Sequence, residues 1–162
     1  MNKIALFLVI VVINTWSQSE SEFDQFLREL SGIFNIAQIM PDSVNMSDAN
    51  ILDAREKVEY DISRLKDAIW VGYEDFNLSR VDTIDRSSEI ILYCSVGYRS
   101  SEIGIKLQQA GFLNVKNLHG GIFRWANKGF PIFNDSSQTK KIHIHSIEWG
   151  RFITSPTLVK VY

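Results

Sequence analysis

Residues 90–101 read Ile90-Ile91-Leu92-Tyr93-Cys94-Ser95-Val96-Gly97-Tyr98-Arg99-Ser100-Ser101. Four large apolar residues open this stretch and are typical of a central parallel strand that is covered on both faces. A short turn follows, which begins with the single cysteine of the chain. Apolar residues then recur at helical spacing over residues 103–110, so an amphipathic helix is predicted after the turn. Ser100 or Ser101 is expected to cap the start of that helix, and Gly111 its end.

The turn is expected to place Cys94 among backbone N–H groups that point inward. The start of the following helix adds about half a positive charge, and Arg99 adds a full one. Such surroundings favour the thiolate form of a cysteine and hold an anion against its sulfur. The sequence therefore predicts a thiolate that attacks a small, negatively charged substrate. The alternative is an inert buried thiol, which would leave Gly97 and Arg99 beside it unexplained.

Length and composition limit the classes of function. With 162 residues the chain has the size of one domain, and 45% hydrophobic with 22% charged residues is ordinary for a globular protein. The net charge of −2 gives no surplus of lysine and arginine, so nucleic acid is not expected as a partner.

The first residues have the pattern of a secretory signal peptide. A short segment with Lys3 precedes an apolar run at residues 4–13, and small residues precede a cleavage point after Ser17. The run is too short to cross a bilayer as a helix, which takes about 20 residues. We therefore expect export, to a periplasm or to the exterior, with no membrane contact after removal of residues 1–17; a retained anchor is the alternative. In an oxidising compartment a single cysteine cannot close an internal disulfide, which favours a reactive group.

Strand and helix patterns alternate along the rest of the chain. Predicted strands lie at residues 51–54, 68–71, 90–93 and 115–118, and predicted helices at 19–35, 56–61, 73–84 and from 122 to the stop at 129–131. This alternation implies an α/β fold with a parallel sheet and helices on both faces. Ligands bind beyond the carboxyl ends of the strands in such sheets, and Cys94 lies at that end.

The chain is predicted to consist of four parts. They are a signal peptide at 1–17, an N-terminal amphipathic helix and connection at 18–45, a central domain at 46–133 and an extension at 134–162. The extension is expected to pack on the domain and cover an edge of its sheet. Within it, His143 and His145 share one face of a predicted strand. We interpret them as solvent-facing residues rather than a metal pair, because no third ligand lies nearby.

Three segments, taken in this order, resemble an exported single-domain rhodanese-like sulfurtransferase. Residues 51–60 resemble the first strand and turn of that family, residues 94–100 its active-site loop, and residues 118–131 its closing helix. The likeness covers residues 50–131, about half of the chain. It implies a three-layer α/β fold with a five-stranded parallel sheet and helices on both faces.

The resemblance also implies a persulfide mechanism and the roles of individual residues. Cys94 would take the sulfane sulfur of a small anionic donor such as thiosulfate and pass it to cyanide or a thiol, without a cofactor or metal. The loop would bind the substrate, with Arg99 as the anchor of the donor, and its implied binding residues are Ser95, Val96, Gly97, Tyr98, Arg99 and Ser100. Asp53 and Arg55 are interpreted as a structural pair that braces the site.

Two other functions are weighed against this hypothesis. A cysteine-dependent phosphatase or arsenate reductase also uses a cysteine, amides and an arginine, but it generally places one residue more between them than the four found here. The shorter loop should be too tight for phosphate. A non-catalytic module that binds sulfur carriers is the other alternative, and the presence of Cys94 argues against it. The physiological donor and acceptor and the oligomeric state stay open.

Overall fold

A five-stranded parallel sheet forms the centre of the structure, a computed structural model that describes residues 21–162. The strands are β1 (Ala37–Ile39), β2 (Asn50–Asp53), β3 (Ile69–Trp70), β4 (Glu89–Tyr93) and β5 (Asn114–Leu118). They lie side by side in the order β1-β5-β4-β2-β3, so β4 is the central strand. The predicted signal peptide at residues 1–17 lies outside the described residues.

Helices cover both faces of this sheet. They are α1 (Glu22–Ser31), α2 (Lys57–Ile62), α3 (Tyr98–Gln109), α4 (Gly121–Asn127) and α5 (Ile147–Gly150), with 3-10 turns at Pro41–Ser43 and Leu78–Val81. On β4, Ile91 and Tyr93 belong to the core shared with α1 and α4, whereas Ile90 and Leu92 belong to the core shared with α3. The predicted α/β fold with a parallel sheet covered on both faces is confirmed.

Two local predictions about helices are wrong. Residues 73–84 form no long helix and contain only the 3-10 turn, because the Asn77 side chain accepts the Ser79 N–H group and offers the backbone an alternative to a helix. Helix α3 starts at Tyr98 rather than behind a serine cap. Its cap is Gly97, and the two serines lie inside the first turn, where their hydroxyls bind other groups.

The C-terminal segment packs on the domain, and none of its described strands pairs with an edge strand of the five-stranded sheet. After the short antiparallel pair β6 (Ile132–Phe133) and β7 (Gln138–Thr139), strand β8 (Lys141–His143) pairs in parallel with β9 (Val159–Val161). The ring of Phe152 stacks on Phe23 of α1, with 4.8 Å between centroids, and the side chain of Ile142 is fully buried. This segment therefore covers α1 and belongs to the core on that face.

The two histidines of this segment differ from each other. His143 is buried, so the prediction that it faces solvent is wrong, while His145 is exposed. The Nδ1 atom of His143 accepts the His145 N–H group at 3.0 Å, and its ring stacks on Tyr162. Among residues 21–162 no three histidine, cysteine or acidic side chains come together in a way that could hold a metal ion. In that same range no helix combines the length and apolar character needed to cross a membrane.

Candidate active site

Cys94 directly follows β4, so it lies at the carboxyl end of the central strand. Only 1% of its surface is exposed, yet its side chain forms part of the wall of a cavity. The backbone N–H group of Gly97 donates a hydrogen bond to the Cys94 sulfur over 3.1 Å. Gly97 has a φ of 116°, a left-handed conformation that favours glycine. This conformation turns the loop back over the sulfur and starts α3 at the next residue.

The carbonyl groups of the loop are bound by groups outside it. The Cys94 carbonyl accepts the Ile122 N–H group at 2.9 Å, and the Ser95 carbonyl accepts the Phe123 N–H group at 3.1 Å. These donors belong to the first turn of α4, where amides have no acceptor within the helix. The start of α4 packs so closely that a Cβ atom on Gly121 would lie 2.4 Å from the Cys94 carbonyl oxygen. These two carbonyls are therefore bound by α4, while the Gly97 N–H group contacts the sulfur.

Asn117 on β5 holds the far end of the loop. Its Nδ2 group donates to the Gly97 carbonyl at 3.0 Å and to the Ser101 hydroxyl at 2.9 Å. The Ser100 hydroxyl donates to Asn117 Oδ1 at 2.7 Å, and the Ser101 hydroxyl donates to the Gly97 carbonyl. All of these groups are buried, so the network fixes the conformation of Gly97. Asn117 was not among the site residues predicted from the sequence. The pattern that could have indicated it is a polar residue at a buried position of a predicted strand.

The guanidinium group of Arg99 binds Glu59 of α2. Arg99 Nη1 lies 2.6 Å from Glu59 Oε2, and Arg99 Nη2 lies 2.8 Å from Glu59 Oε1. The Ser95 hydroxyl joins the pair, accepting from Arg99 Nη2 at 3.0 Å and donating to Glu59 Oε1 at 3.1 Å. The resemblance implied that Arg99 anchors an anionic donor. In the structure both Nη groups of Arg99 bind Glu59, because its carboxylate is buried and needs a partner.

The opposite charges of Glu59 and Arg99 stabilise each other. Glu59 is 1% exposed, and burial raises its pKa, but the hydrogen bonds and charge of Arg99 outweigh burial and hold the pKa at about 2. Burial lowers the pKa of Arg99, while the bonds to Glu59 and the negative charge of Cys94 raise it above its ordinary value. Arg99 is therefore a permanent cation near the sulfur whose charge is largely matched by Glu59. Glu59 had no assigned role in the sequence reasoning, because the contact spans 40 residues of chain.

Asp53 and Arg55 form a fully buried ion pair behind the site. Arg55 Nε lies 2.9 Å from Asp53 Oδ1, and Arg55 Nη2 lies 2.6 Å from Asp53 Oδ2. The same Nη2 group donates to the Ser63 carbonyl, so the pair ties the end of β2 to the end of α2. Neither side chain lines the cavity next to Cys94. The pair thus lies behind the site, and its role as a brace stays a prediction.

A cavity of about 480 Å³ opens above Cys94. Its floor is formed by loop residues, namely Cys94, Ser95, Val96, Tyr98 and Arg99. Its walls are formed by Phe26, Glu29, Leu30 and Ile33 of the N-terminal segment and by His145 and Trp149 of the C-terminal segment. Of the predicted loop residues, Gly97 and Ser100 lie behind this floor. The sequence did not connect the two outer segments with the site, although Phe23 and Phe26 mark an apolar face of α1.

Comparisons with known proteins agree with this geometry. A family model described as a rhodanese-like domain matches residues 37–128. A sulfurtransferase from Allochromatium vinosum is 32% identical over 85 residues, which make up 52% of this chain and 78% of that protein. A tRNA uridine(34) hydroxylase from Cytophaga hutchinsonii is 28% identical over 48% of this chain, and the match spans only 26% of the hydroxylase.

Solved structures show the same fold. The rhodanese-like domain of an Anabaena protein superposes with a TM-score of 0.56 at 23% identity, covering 60% of this chain and 78% of that domain. A thiosulfate sulfurtransferase from Pseudomonas aeruginosa superposes with a TM-score of 0.58 at 21% identity. That match covers 79% of this chain and 25% of the Pseudomonas protein.

Proposed function

Because the chain belongs to the rhodanese-like domain family, we propose that it moves a sulfane sulfur from a donor to a nucleophilic acceptor through a persulfide on Cys94. The observation that carries this proposal is the hydrogen bond from the Gly97 N–H group to the Cys94 sulfur, in a loop whose neighbouring carbonyls are bound by α4. Amide donors around a sulfur stabilise negative charge on it. Both the Cys94 thiolate and its persulfide anion carry such a charge.

The proposed reaction has two displacements at sulfur. With thiosulfate as the donor, the Cys94 thiolate attacks the outer sulfur atom, the bond between the two donor sulfurs breaks, and its electron pair leaves on sulfite. The transferred sulfur stays on Cys94 as a persulfide anion. Cyanide or a thiolate then attacks that outer sulfur and leaves as thiocyanate or a new persulfide, while Cys94 returns to the thiolate. Splitting the transfer into two steps is the usual advantage of a covalent intermediate.

Arg99 contributes to this reaction mainly through position. Its guanidinium group fixes Ser95, the residue next to the nucleophile, through the Ser95 hydroxyl and through Glu59. Its charge lies close enough to Cys94 for the two groups to interact electrostatically. We infer that Arg99 holds the loop in its sulfur-binding conformation and places a positive charge near the sulfur, rather than binding the donor through both Nη groups.

The loop geometry argues against the phosphatase alternative. The Gly97 nitrogen already lies 3.1 Å from the Cys94 sulfur, so the loop closes tightly over that atom. The arginine that a phosphatase would use for the phosphate oxygens is paired with Glu59.

Two activity measurements on the same preparation test the proposal. One follows thiocyanate formation from thiosulfate and cyanide, and the other follows hydrolysis of an aryl phosphate, each with Cys94→Ser as the control. We expect thiocyanate formation that is lost in the variant and no phosphate release above the variant. Phosphate release that depends on Cys94, without thiocyanate formation, would overturn the proposal.

A further inference from the structure

The walls of the cavity above Cys94 are formed by residues that take no part in the proposed sulfur transfer. Phe26 and Leu30 on α1, Ile33 just after it, and Trp149 on α5 turn apolar surface toward the sulfur. These residues lie outside residues 37–128, which match the family model. Ile33 is 66% exposed, so an occupant of the cavity would cover apolar surface that now faces water.

The walls are held in place by contacts among themselves. The ring of Phe26 meets Trp149 edge to face with 5.3 Å between centroids, and stacks on Phe152 at 5.4 Å. At the other side of α1, Asp24 forms an ion pair with Arg124 of α4. The cavity walls are therefore fixed by the fold itself, which is the usual condition of a small-molecule site.

The charges around the cavity are poorly suited to a dianion such as thiosulfate. Arg99 is the arginine of the lining, and its charge is matched by the buried carboxylate of Glu59. A second carboxylate, Glu29, lies at the exposed rim, where it repels anions. His145 is the remaining basic side chain of the wall. The lining thus offers a small positive region at the sulfur, the imidazole of His145 on the wall, and a mainly apolar surface over the rest.

The size of the cavity also exceeds what a small inorganic anion needs. Pockets of about 300–1,000 Å³ hold organic molecules of drug size. At about 480 Å³ this cavity falls within that range, whereas thiosulfate would fill only its floor.

We propose that the sulfur compound that reacts at Cys94 is an organic one, with its sulfur at the loop and an aryl or branched alkyl body between α1 and α5. This inference rests on the proposed sulfur transfer. A suitable donor class is the organic thiosulfonate, which carries one negative charge. The Cys94 thiolate attacks its outer sulfur, the S–S bond breaks, and its electron pair leaves on the sulfinate. One sulfur atom moves to Cys94, and the number of charges is unchanged.

A pair of donors with the same reacting group tests this inference. Benzenethiosulfonate and methanethiosulfonate differ only in the body attached to the sulfonyl group. The rate of sulfur addition to Cys94 is followed by intact mass for each donor. Each rate is divided by the rate at which the same donor reacts with a small free thiol, which corrects for the intrinsic reactivity of the donor. We expect a preference for the phenyl compound of about tenfold or more, since a single methylene in an apolar pocket is worth at least that much.

Substitutions of two exposed aliphatic residues provide the matched comparison. Ile33→Asn removes apolar surface from the wall, and we expect it to lower the phenyl preference about threefold or more. Leu113→Asn is the control, because Leu113 is 79% exposed and precedes β5 at the opposite end of the sheet. It should leave the preference unchanged.

The outcomes separate this inference from the proposed function. Sulfur addition from both donors without a phenyl preference, or a preference that Ile33→Asn does not reduce, would overturn the organic substrate while leaving sulfur transfer intact. No sulfur on Cys94 from either donor would overturn both.

Discussion

Replacing Glu59 by glutamine should destabilise the fold strongly, although it changes only one polar group. The Glu59 carboxylate accepts hydrogen bonds from both Arg99 Nη groups, from the Ser95 hydroxyl and from the Glu56 N–H group. In Glu59→Gln an amide NH₂ group faces these donors, and the Arg99 charge loses its partner. Breaking one side of a buried ion pair costs about 3–5 kcal/mol.

The pKa of Glu59 gives an independent magnitude. Folding lowers this pKa from its ordinary value of 4.5 to about 2, which corresponds to about 3 kcal/mol at pH 7. Because the folded pKa is the lower one, this contribution is fully present above pH 4.5 and is lost as the pH falls toward 2. Once Glu59 is protonated, the wild type resembles Glu59→Gln. The stability difference between the two proteins should therefore shrink over the same pH range.

Urea unfolding measures this difference directly. The free energy of unfolding is determined at pH 7, 5, 4 and 3 for the wild type, Glu59→Gln and the control Glu74→Gln, whose side chain is exposed. At pH 7 we expect a loss of about 3 kcal/mol for Glu59→Gln and within about 0.5 kcal/mol of zero for the control. A loss below about 1 kcal/mol at pH 7, or a difference that stays constant down to pH 3, would refute the reasoning.

Three further predictions follow from the site and the sequence. Arg99→Ala leaves the Glu59 carboxylate buried without its cation, so urea unfolding should show a loss of about 3–5 kcal/mol in the free energy of unfolding, together with the loss of sulfur transfer. The double variant Glu59→Met with Arg99→Met should regain part of that stability. Equal stability of the single and the double variant would contradict this prediction. Asn117→Ala removes the donor to the Gly97 carbonyl, so it should lower the free energy of unfolding by about 1–3 kcal/mol and slow persulfide formation. An unchanged rate of persulfide formation would show that the network does not hold the loop. Expression of the full chain with fractionation and N-terminal mass analysis should find an exported protein that begins at Gln18, and a retained Met1 would contradict the signal-peptide prediction.

The central strand and the loop after it could be predicted because their signals are local. Four adjacent apolar residues require cover on both faces, and a glycine three residues after the cysteine allows the tight turn. Strand β1 could not be predicted in this way, because its residues 37–39 are largely exposed. Only pairing with β5 makes this segment a strand.

The parts of the site that sequence reasoning missed depend on tertiary contacts. Nothing in the sequence next to Glu59 indicates that it binds Arg99. The role of Asn117 is apparent only when Gly97 of the loop is placed next to β5. The cavity walls come from Phe26 and Trp149, which are more than 100 residues apart in the chain. An aromatic face on α1 predicts burial, but it does not reveal that one edge of the face borders a reactive sulfur.

The intact mass of the protein after exposure to a sulfane sulfur donor tests the central claim most directly. We expect the wild type to gain the mass of one sulfur atom, to lose it again on addition of cyanide, and Cys94→Ser to gain none. A wild type whose mass stays unchanged with every donor, or a sulfur adduct that also forms on Cys94→Ser, would contradict a persulfide carried by Cys94.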